Sequence, residues 1–258
     1  MTVAFVDFAC ASGDQRIEFE WVGQGSQTMV FLHEGLGSLA MWKTFPRELC
    51  ASLGCRGLVY SRPGYGQSSG PDEEEAWGNR FMHEQSLEVL PALLQTLGVV
   101  DRVWLFGHSD GGSISLLYAA HFPQRVAGLV VMAPHIMVEP ISIESIKKAR
   151  EAYASTDLPE RLARYHDDPQ RAFRRWNDVW LSAPFKDWSI TFELTNITCP
   201  LLAIQGIDDE YGTLGQIRGI KRHVPQTELL ELAACGHSPH RDQPARVIEA
   251  ITAFFKKH

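Results

Sequence analysis

Trp104-Leu105-Phe106-Gly107-His108-Ser109-Asp110-Gly111-Gly112 holds a Gly-x-Ser-x-Gly pattern between two unlike halves. An apolar run over 103–107 leads into it and reads as a buried strand, and the residues from Ser113 to His121 read as a helix. A serine at such a tight strand-to-helix turn is held in a strained backbone with its hydroxyl presented. Glycines on either side let neighbouring backbone close in, and the helix N-terminus behind favours developing negative charge. The stretch therefore predicts a parallel sheet of alternating strands and helices, and a nucleophile at Ser109. The five-letter pattern alone is worth little. Gly66-Gln67-Ser68-Ser69-Gly70 matches it as well, after Arg62-Pro63-Gly64-Tyr65 and before Pro71 and the acidic run Asp72 to Glu75. With no strand leading into it and no helix following, it reads as a surface loop.

Outward from Ser109, short apolar runs at 29–32, 57–61, 128–133, 201–205 and 228–232 read as further buried strands, separated by helical spacings. Gln85, Val89, Ala92, Leu93 and Thr96 fall on one helical face. Pro244, Val247, Ile248, Ile251, Phe254 and Phe255 fall on another. Residues 3–9 and 16–22 flank Ser12-Gly13-Asp14 and predict a hairpin. The fold class that results is α/β, a doubly wound and mostly parallel sheet with helices on both faces. Residues 135–188 break the alternation. They are helical in pattern, have no convincing strand, and are rich in Arg, Trp and Tyr. The chain thus divides into a core, 1–134 and 189–258, and an inserted helical lid, 135–188, expected over the carboxyl ends of the strands.

A serine hydroxyl needs a base, and the base needs an acid to fix its tautomer. On this sheet order the acid and then a histidine should each follow a later strand. After 201–205 comes Gly206-Ile207-Asp208-Asp209-Glu210, where the spacing favours Asp209 over Asp208. After 228–232 comes Ala233-Ala234-Cys235-Gly236-His237-Ser238-Pro239-His240, where His237 is the base and His240 the alternative. An oxyanion needs two backbone donors. One is the amide of Asp110. The other belongs to His33-Glu34-Gly35-Leu36-Gly37-Ser38, with Gly35 first and Leu36 second. The Asp110 side chain is expected to point away from the oxyanion and hydrogen-bond locally. Leu36, His135, Met137, Trp176 and Trp180 are the candidate pocket residues, although the tryptophans, with Trp188, could equally serve only to pack the lid. Arg161, Arg164, Arg171, Arg174 and Arg175 make the lid basic, which would suit anionic or CoA-linked esters but more simply describes a solvated helix face.

Composition sets limits. Of 258 residues 45% are hydrophobic and 21% charged, enough for a globular core. Scattered Lys and Arg and a net charge of −7 supply no basic face, so neither nucleic acid nor a membrane surface is an expected partner. No apolar run approaches the roughly 20 residues of a membrane span, and no leader pattern opens the chain. Five cysteines without a Cys-x-x-Cys pair read as reduced thiols of a cytoplasmic protein. Cys235 draws notice only for lying two residues before His237. His237, His240 and Asp242 are too sparse for a metal site, so no metal or cofactor is expected; the expected partner is a small ester or related acyl substrate, and the protein is expected to be a monomer or homodimer.

These residues together resemble the α/β-hydrolases, in the compact lidded branch that includes carboxylesterases, carbon–carbon bond hydrolases and small acyl-ester hydrolases. The resemblance runs over essentially the whole chain. It rests on the His33–Ser38 loop, Ser61-Arg62-Pro63-Gly64-Tyr65-Gly66-Gln67-Ser68, the Ser109 stretch, the Asp209 loop and Gly236-His237-Ser238-Pro239-His240. It implies a serine hydrolase working on a small carboxylic ester through an acyl-enzyme, with carbon–carbon or thioester hydrolysis as the alternative. It also implies a structural role for the loop that holds Ser68. The family usually reads His-Gly where this chain has His33-Glu34, so Glu34 calls for a salt-bridge or hydrogen-bond partner. Relatives of the fold with an Asp nucleophile, the dehalogenases and epoxide hydrolases, are disfavoured because Asp110 stands one residue too late. Two rivals remain. Gly35-Leu36-Gly37-Ser38-Leu39-Ala40 imitates a dinucleotide-binding turn but leaves Ser109, Asp209 and His237 unexplained in their order. A non-catalytic ligand receptor on the same fold would keep all three.

Overall fold

A computed structural model describes residues 3–69 and 78–258. Eight strands form one sheet in the order β1-β2-β4-β3-β5-β6-β7-β8. They are β1 (Ala4–Cys10), β2 (Gly13–Gly23), β3 (Thr28–Leu32), β4 (Arg56–Tyr60), β5 (Val103–His108), β6 (Val126–Met132), β7 (Leu201–Gly206) and β8 (Glu228–Leu232). Only β2 runs against the rest, pairing antiparallel with β1 and β4. The expected hairpin is present, closed through Cys10 and Gly13. β3, β5 and β7 are buried along their whole length. Covered on both faces, they read as continuous apolar runs rather than alternations.

Helices fill both faces. On one side α1 (Phe45–Leu53) and α10 (Pro244–Lys257) cover Met29, Phe31, Trp104, Phe106 and Val130. α1 ends on Gly54 at φ 65°, the left-handed stop that glycine takes without strain. On the other side lie α2 (Phe81–Glu84), α3 (Leu90–Thr96) and α4 (Asp110–His121), against Val30, Leu32, Leu105, Leu129 and Val131. A π turn, Gln85–Val89, joins α2 to α3. Its wider turn displaces the face that follows. Gln85, Val89 and Leu93 are buried as the periodicity predicted, but Leu90 and Leu94 join them while Ala92 is half-buried and Thr96 exposed.

Between β6 and β7 the chain forms α5 (Pro140–Ser155), α6 (Leu158–Leu162) and α7 (Pro169–Trp180). α7 starts on Asp168, whose carboxylate accepts the Arg171 amide at 2.9 Å, with Pro169 in the first turn. Its apolar stripe, Phe173, Trp176, Val179 and Trp180, turns inward. Asn177 Nδ2 donates to the Ile146 carbonyl at 2.9 Å and ties α7 to α5. The segment does contain one short pairing that the pattern hid. Met137 and Ser189 form an antiparallel bridge, held by Val138 N–H to the Trp188 carbonyl (3.1 Å) and Ile190 N–H to the Ile136 carbonyl (2.9 Å). A pairing this short leaves no apolar alternation to detect.

Leu105 lies in the middle of β5 and is fully buried, whereas Val100 is 72% exposed. Leu105→Ala should cost about 2–5 kcal/mol of unfolding free energy in a denaturant titration. Val100→Ala should stay within about 0.5 kcal/mol of the parent.

Candidate active site

The carboxyl ends of β3, β5, β6, β7 and β8 deliver the loops that meet at one cavity. Ser109 follows β5 directly and has φ 52° and ψ −121°, a conformation side chains rarely adopt. The strain is held by close backbone contact on both flanks. A Cβ on Gly107 would fall 2.3 Å from the Gly111 carbonyl oxygen, and a Cβ on Gly111 would fall 2.1 Å from that of Leu32. Ser109 N–H donates to the Met132 carbonyl at 2.9 Å, and its own carbonyl takes the Gly112 and Ser113 amides. A residue so held costs about 1–3 kcal/mol and persists because its surroundings over-determine it.

His237 Nε2 lies 3.0 Å from Ser109 Oγ, and His237 Nδ1 lies 2.8 Å from Asp209 Oδ1. Asp209, which spacing favoured, is buried, and Asp208 is exposed. Asp209 also accepts the Tyr211 amide at 2.8 Å and Gln205 Nε2 at 3.1 Å. With one carboxylate on Nδ1, the imidazole is oriented to take a proton at Nε2. Burial works against both charges. For Asp209 the His237 hydrogen bond and charge outweigh it and hold the carboxyl below its usual range. For His237 the Asp209 hydrogen bond and charge outweigh it and raise the ring above the ordinary histidine value. His240 sits elsewhere, packed on Trp42 and His108 at ring distances of 5.1 and 5.0 Å. Burial drives its pKa down to about 2, so it stays neutral.

A cavity of about 110 Å³ opens on Ser109 and His237. It is lined by Glu34, Gly35, Leu36, Asp110, His135, Ile146, Trp176, Trp180 and Tyr211. Gly35, Leu36, Asp110, His135, Trp176 and Trp180 thus share one cavity wall. Trp176 rests directly on Gly35, where an added Cβ would come within 2.2 Å of its Nε1. Two expectations need correction. Met137 is not in the wall, because its backbone is engaged in the bridge to Ser189 and its carbonyl accepts Gln216 Nε2 at 3.0 Å. Asp110 does not bond locally. Its buried carboxylate accepts Trp180 Nε1 from α7 at 3.3 Å and lies 4.0 Å from Arg62 NH2. Burial, partly offset by Arg62, raises its pKa to about 6.

Sequence reasoning missed Arg62, Gln205, Tyr211 and Ile146. A signal existed for Gln205, the one polar side chain ending an apolar strand four residues before Asp209. Glu34 finds the partner it called for in Arg241, whose Nη2 lies 3.0 Å from one oxygen, while His108 Nδ1 stands 3.4 Å from the other. Ser68 is not at the surface. Its hydroxyl donates to the Ser61 carbonyl at 2.8 Å and accepts the Glu18 amide at 3.0 Å, so it pins its loop on β2. Gly70, Pro71 and the acidic run Asp72 to Glu75 lie outside the described residues. Trp188 stacks on Phe185 at 5.1 Å, outside the cavity wall. The Cys235 thiol is buried and pushed up to about 11, chiefly by burial, so it is no competing nucleophile near neutral pH. Among the described residues no group of His, Cys, Asp and Glu is placed to hold a metal ion, and no helix is long and apolar enough to cross a membrane.

A sequence profile of the alpha/beta hydrolase fold matches residues 27–195. The chain belongs to the alpha/beta hydrolase family. It is 27% identical to a 2-hydroxy-6-oxononadienedioate/2-hydroxy-6-oxononatrienedioate hydrolase of Paraburkholderia phymatum, over 98% of this chain and 95% of that protein. It is 24% identical to a 2-hydroxy-6-oxo-6-phenylhexa-2,4-dienoate hydrolase of Burkholderia cepacia, over 86% and 85%. Among solved structures, a thermophilic esterase from Thermogutta terrifontis with bound malate superposes with a TM-score of 0.74 at 22% identity, covering 98% of each chain.

The Asp209–His237 contact has a readable consequence for pH. A base must be neutral, so the rate over substrate-limited conditions should rise with pH through a value above the ordinary histidine range. Asp209→Asn should lower turnover by about 10⁴-fold. The acid limb of its pH–rate profile should move to lower pH, because the raising contact is gone.

Proposed function

We propose that the protein is a serine hydrolase that cleaves small, uncharged carboxylic esters through an acyl-enzyme. The observation that carries this reading is the hydrogen-bonded run from Asp209 through His237 to Ser109, ending at a cavity. Ser109 Oγ attacks the ester carbonyl while His237 Nε2 takes its proton. The amides of Gly35 and Asp110 hold the oxyanion. His237 returns the proton to the leaving alkoxide as the tetrahedral adduct collapses. Water, deprotonated by the same nitrogen, then attacks the acyl-enzyme and releases the acid and Ser109. Losing one oxyanion donor typically raises such a barrier by about 3–4 kcal/mol. Residues 135–188 act as the lid, since Ile146, Trp176 and Trp180 form the roof of the cavity. Five free cysteines support a reducing, cytoplasmic setting.

The second reading is carbon–carbon bond hydrolysis on the same residues, and the names of the curated relatives favour it. A dienedioate carries two carboxylates. Here the described residues lining the cavity include Glu34 and Asp110 but no Lys or Arg. The arginines of the lid do not reach it. Glu34 and Asp110 already hold the nearby cations, Arg241 at 3.0 Å and Arg62 at 4.0 Å, so an anionic tail would enter without a cation of its own, at a cost. The small volume also favours a short acyl group.

The deciding assay sets p-nitrophenyl acetate, butyrate and dodecanoate beside a p-nitrophenyl hemisuccinate and a dienedioate. Acetate and butyrate should turn over fastest, the hemisuccinate at least about tenfold slower. Ser109→Ala should abolish turnover, by about 10⁶-fold, without loss of folding. Rapid cleavage of the dienedioate with inert esters would establish the second reading instead.

A further inference from the structure

One carbonyl in the β3 loop collects three donors. The Glu34 oxygen accepts Arg62 NH2 at 2.9 Å, the Gly37 amide at 3.0 Å and His33 Nδ1 at 2.7 Å. The tautomer of His33 follows from its other nitrogen. Nε2 faces the Arg62 amide at 2.9 Å and must accept it, so the ring proton sits on Nδ1 and is given to Glu34. Burial and the Arg62 charge hold the ring well below the ordinary histidine value, and it stays neutral.

A peptide unit is planar, with its C=O and N–H pointing opposite ways. Three donors on the Glu34 oxygen therefore also fix where the next amide aims, and that amide belongs to Gly35, which lines the cavity beside Ser109. A cationic donor on the carbonyl further polarises the N–H at the other end. The same guanidinium lies 4.0 Å from the carboxylate of Asp110, whose amide is the second donor. Arg62 is fully buried and sits over the Tyr65 ring at 4.7 Å, so its position is fixed.

We propose that Arg62, together with His33, is the positioning group of the oxyanion hole, setting the plane of the Glu34–Gly35 peptide so that its N–H meets the tetrahedral oxyanion. Arg62 touches no reacting atom. It acts through one backbone peptide and through the charge it sets beside Asp110. The proposal rests on the ester-hydrolase reading above, and its test separates the two.

The variants are Arg62→Lys, which keeps the charge but not the fork, and His33→Asn. For each folded variant kcat should fall about 10- to 100-fold, less than the full loss of a donor. KM should stay within about twofold, because the oxyanion contact is far stronger in the transition state than in the bound substrate. The infrared stretch of the acyl carbonyl on Ser109 should move to higher wavenumber, since a misaimed donor polarises it less. A purely structural role would lower the yield or melting temperature and leave that stretch unmoved. Wild-type kcat and an unshifted carbonyl in a folded variant would overturn the proposal. A second measurement needs no variant. Nitrogen-15 NMR of the wild-type protein should show His33 as the neutral Nδ1–H tautomer at neutral pH. Finding the Nε2–H tautomer overturns the proposal by itself. If Ser109→Ala keeps full turnover, the hydrolase reading has failed. If it does not, and Arg62→Lys behaves as wild type, only the positioning role has.

Discussion

The start of α4 is pressed against the end of β3 more closely than any side chain allows. A Cβ on Gly111 would overlap the Leu32 carbonyl, and one on Gly107 would overlap Gly111 itself. That approach leaves Ser109 nowhere to go but φ 52°. It also sets the first amide of α4 beside the loop that leaves β3, so the two expected oxyanion donors come from adjacent strands. The strain at one residue is thus held by the parallel pairing of β3, β5 and β6 around it. Most of the cost is carried by burial in the two apolar layers on either side of the sheet.

Against that apolar frame the protein buries an unusual amount of charge. Arg62 and Asp110 are nearly inaccessible, and Glu34 and His108 are mostly covered. Such groups are costly to remove from water and are seldom the best way to gain stability. Their placement explains their presence better. Arg62 reaches the Glu34 carbonyl and Asp110, while Glu34 is pinned by Arg241 from the α9 segment (Pro239–Asp242) that follows His237. His108 Nε2 donates to the His237 carbonyl at 2.7 Å. The loops after β3, β5 and β8 are cross-braced by polar contacts that hold direction, which apolar packing does not.

What the sequence displays and what it hides divide along the same line. Strands buried on both faces announce themselves as apolar runs, and β3, β5 and β7 fall within a residue or so of the spans read from them; β8 matches its span too, although as the edge strand it is buried only at Leu232. Ser109, Asp209 and His237 stand just past such runs, so their meeting follows from topology. Asp208 and Asp209 differ in the sequence by one position only, and burial separates them. Nothing in the sequence marks Arg62 out within its loop, because a contact from a side chain to a carbonyl 28 residues away leaves no period in the chain. The same holds for Asp110, whose partner Trp180 is 70 residues on. Met137 follows a strand as His135 does, yet two residues of extended chain carried it into a bridge.

α7 completes the arrangement. Trp176 lies on Gly35 and Trp180 donates to Asp110, so one helix meets both residues whose amides are the expected oxyanion donors. In the proposed mechanism the indoles would exclude water where charge develops, and electrostatic contacts strengthen as the local dielectric falls. Gly35 is required for this contact rather than for any backbone twist, since any side chain there would displace Trp176. The glycine after β3 and the tryptophans of a helix over 130 residues later form one surface. On the proposed mechanism its apolar side shields the site, and the buried arginine behind it supplies the field.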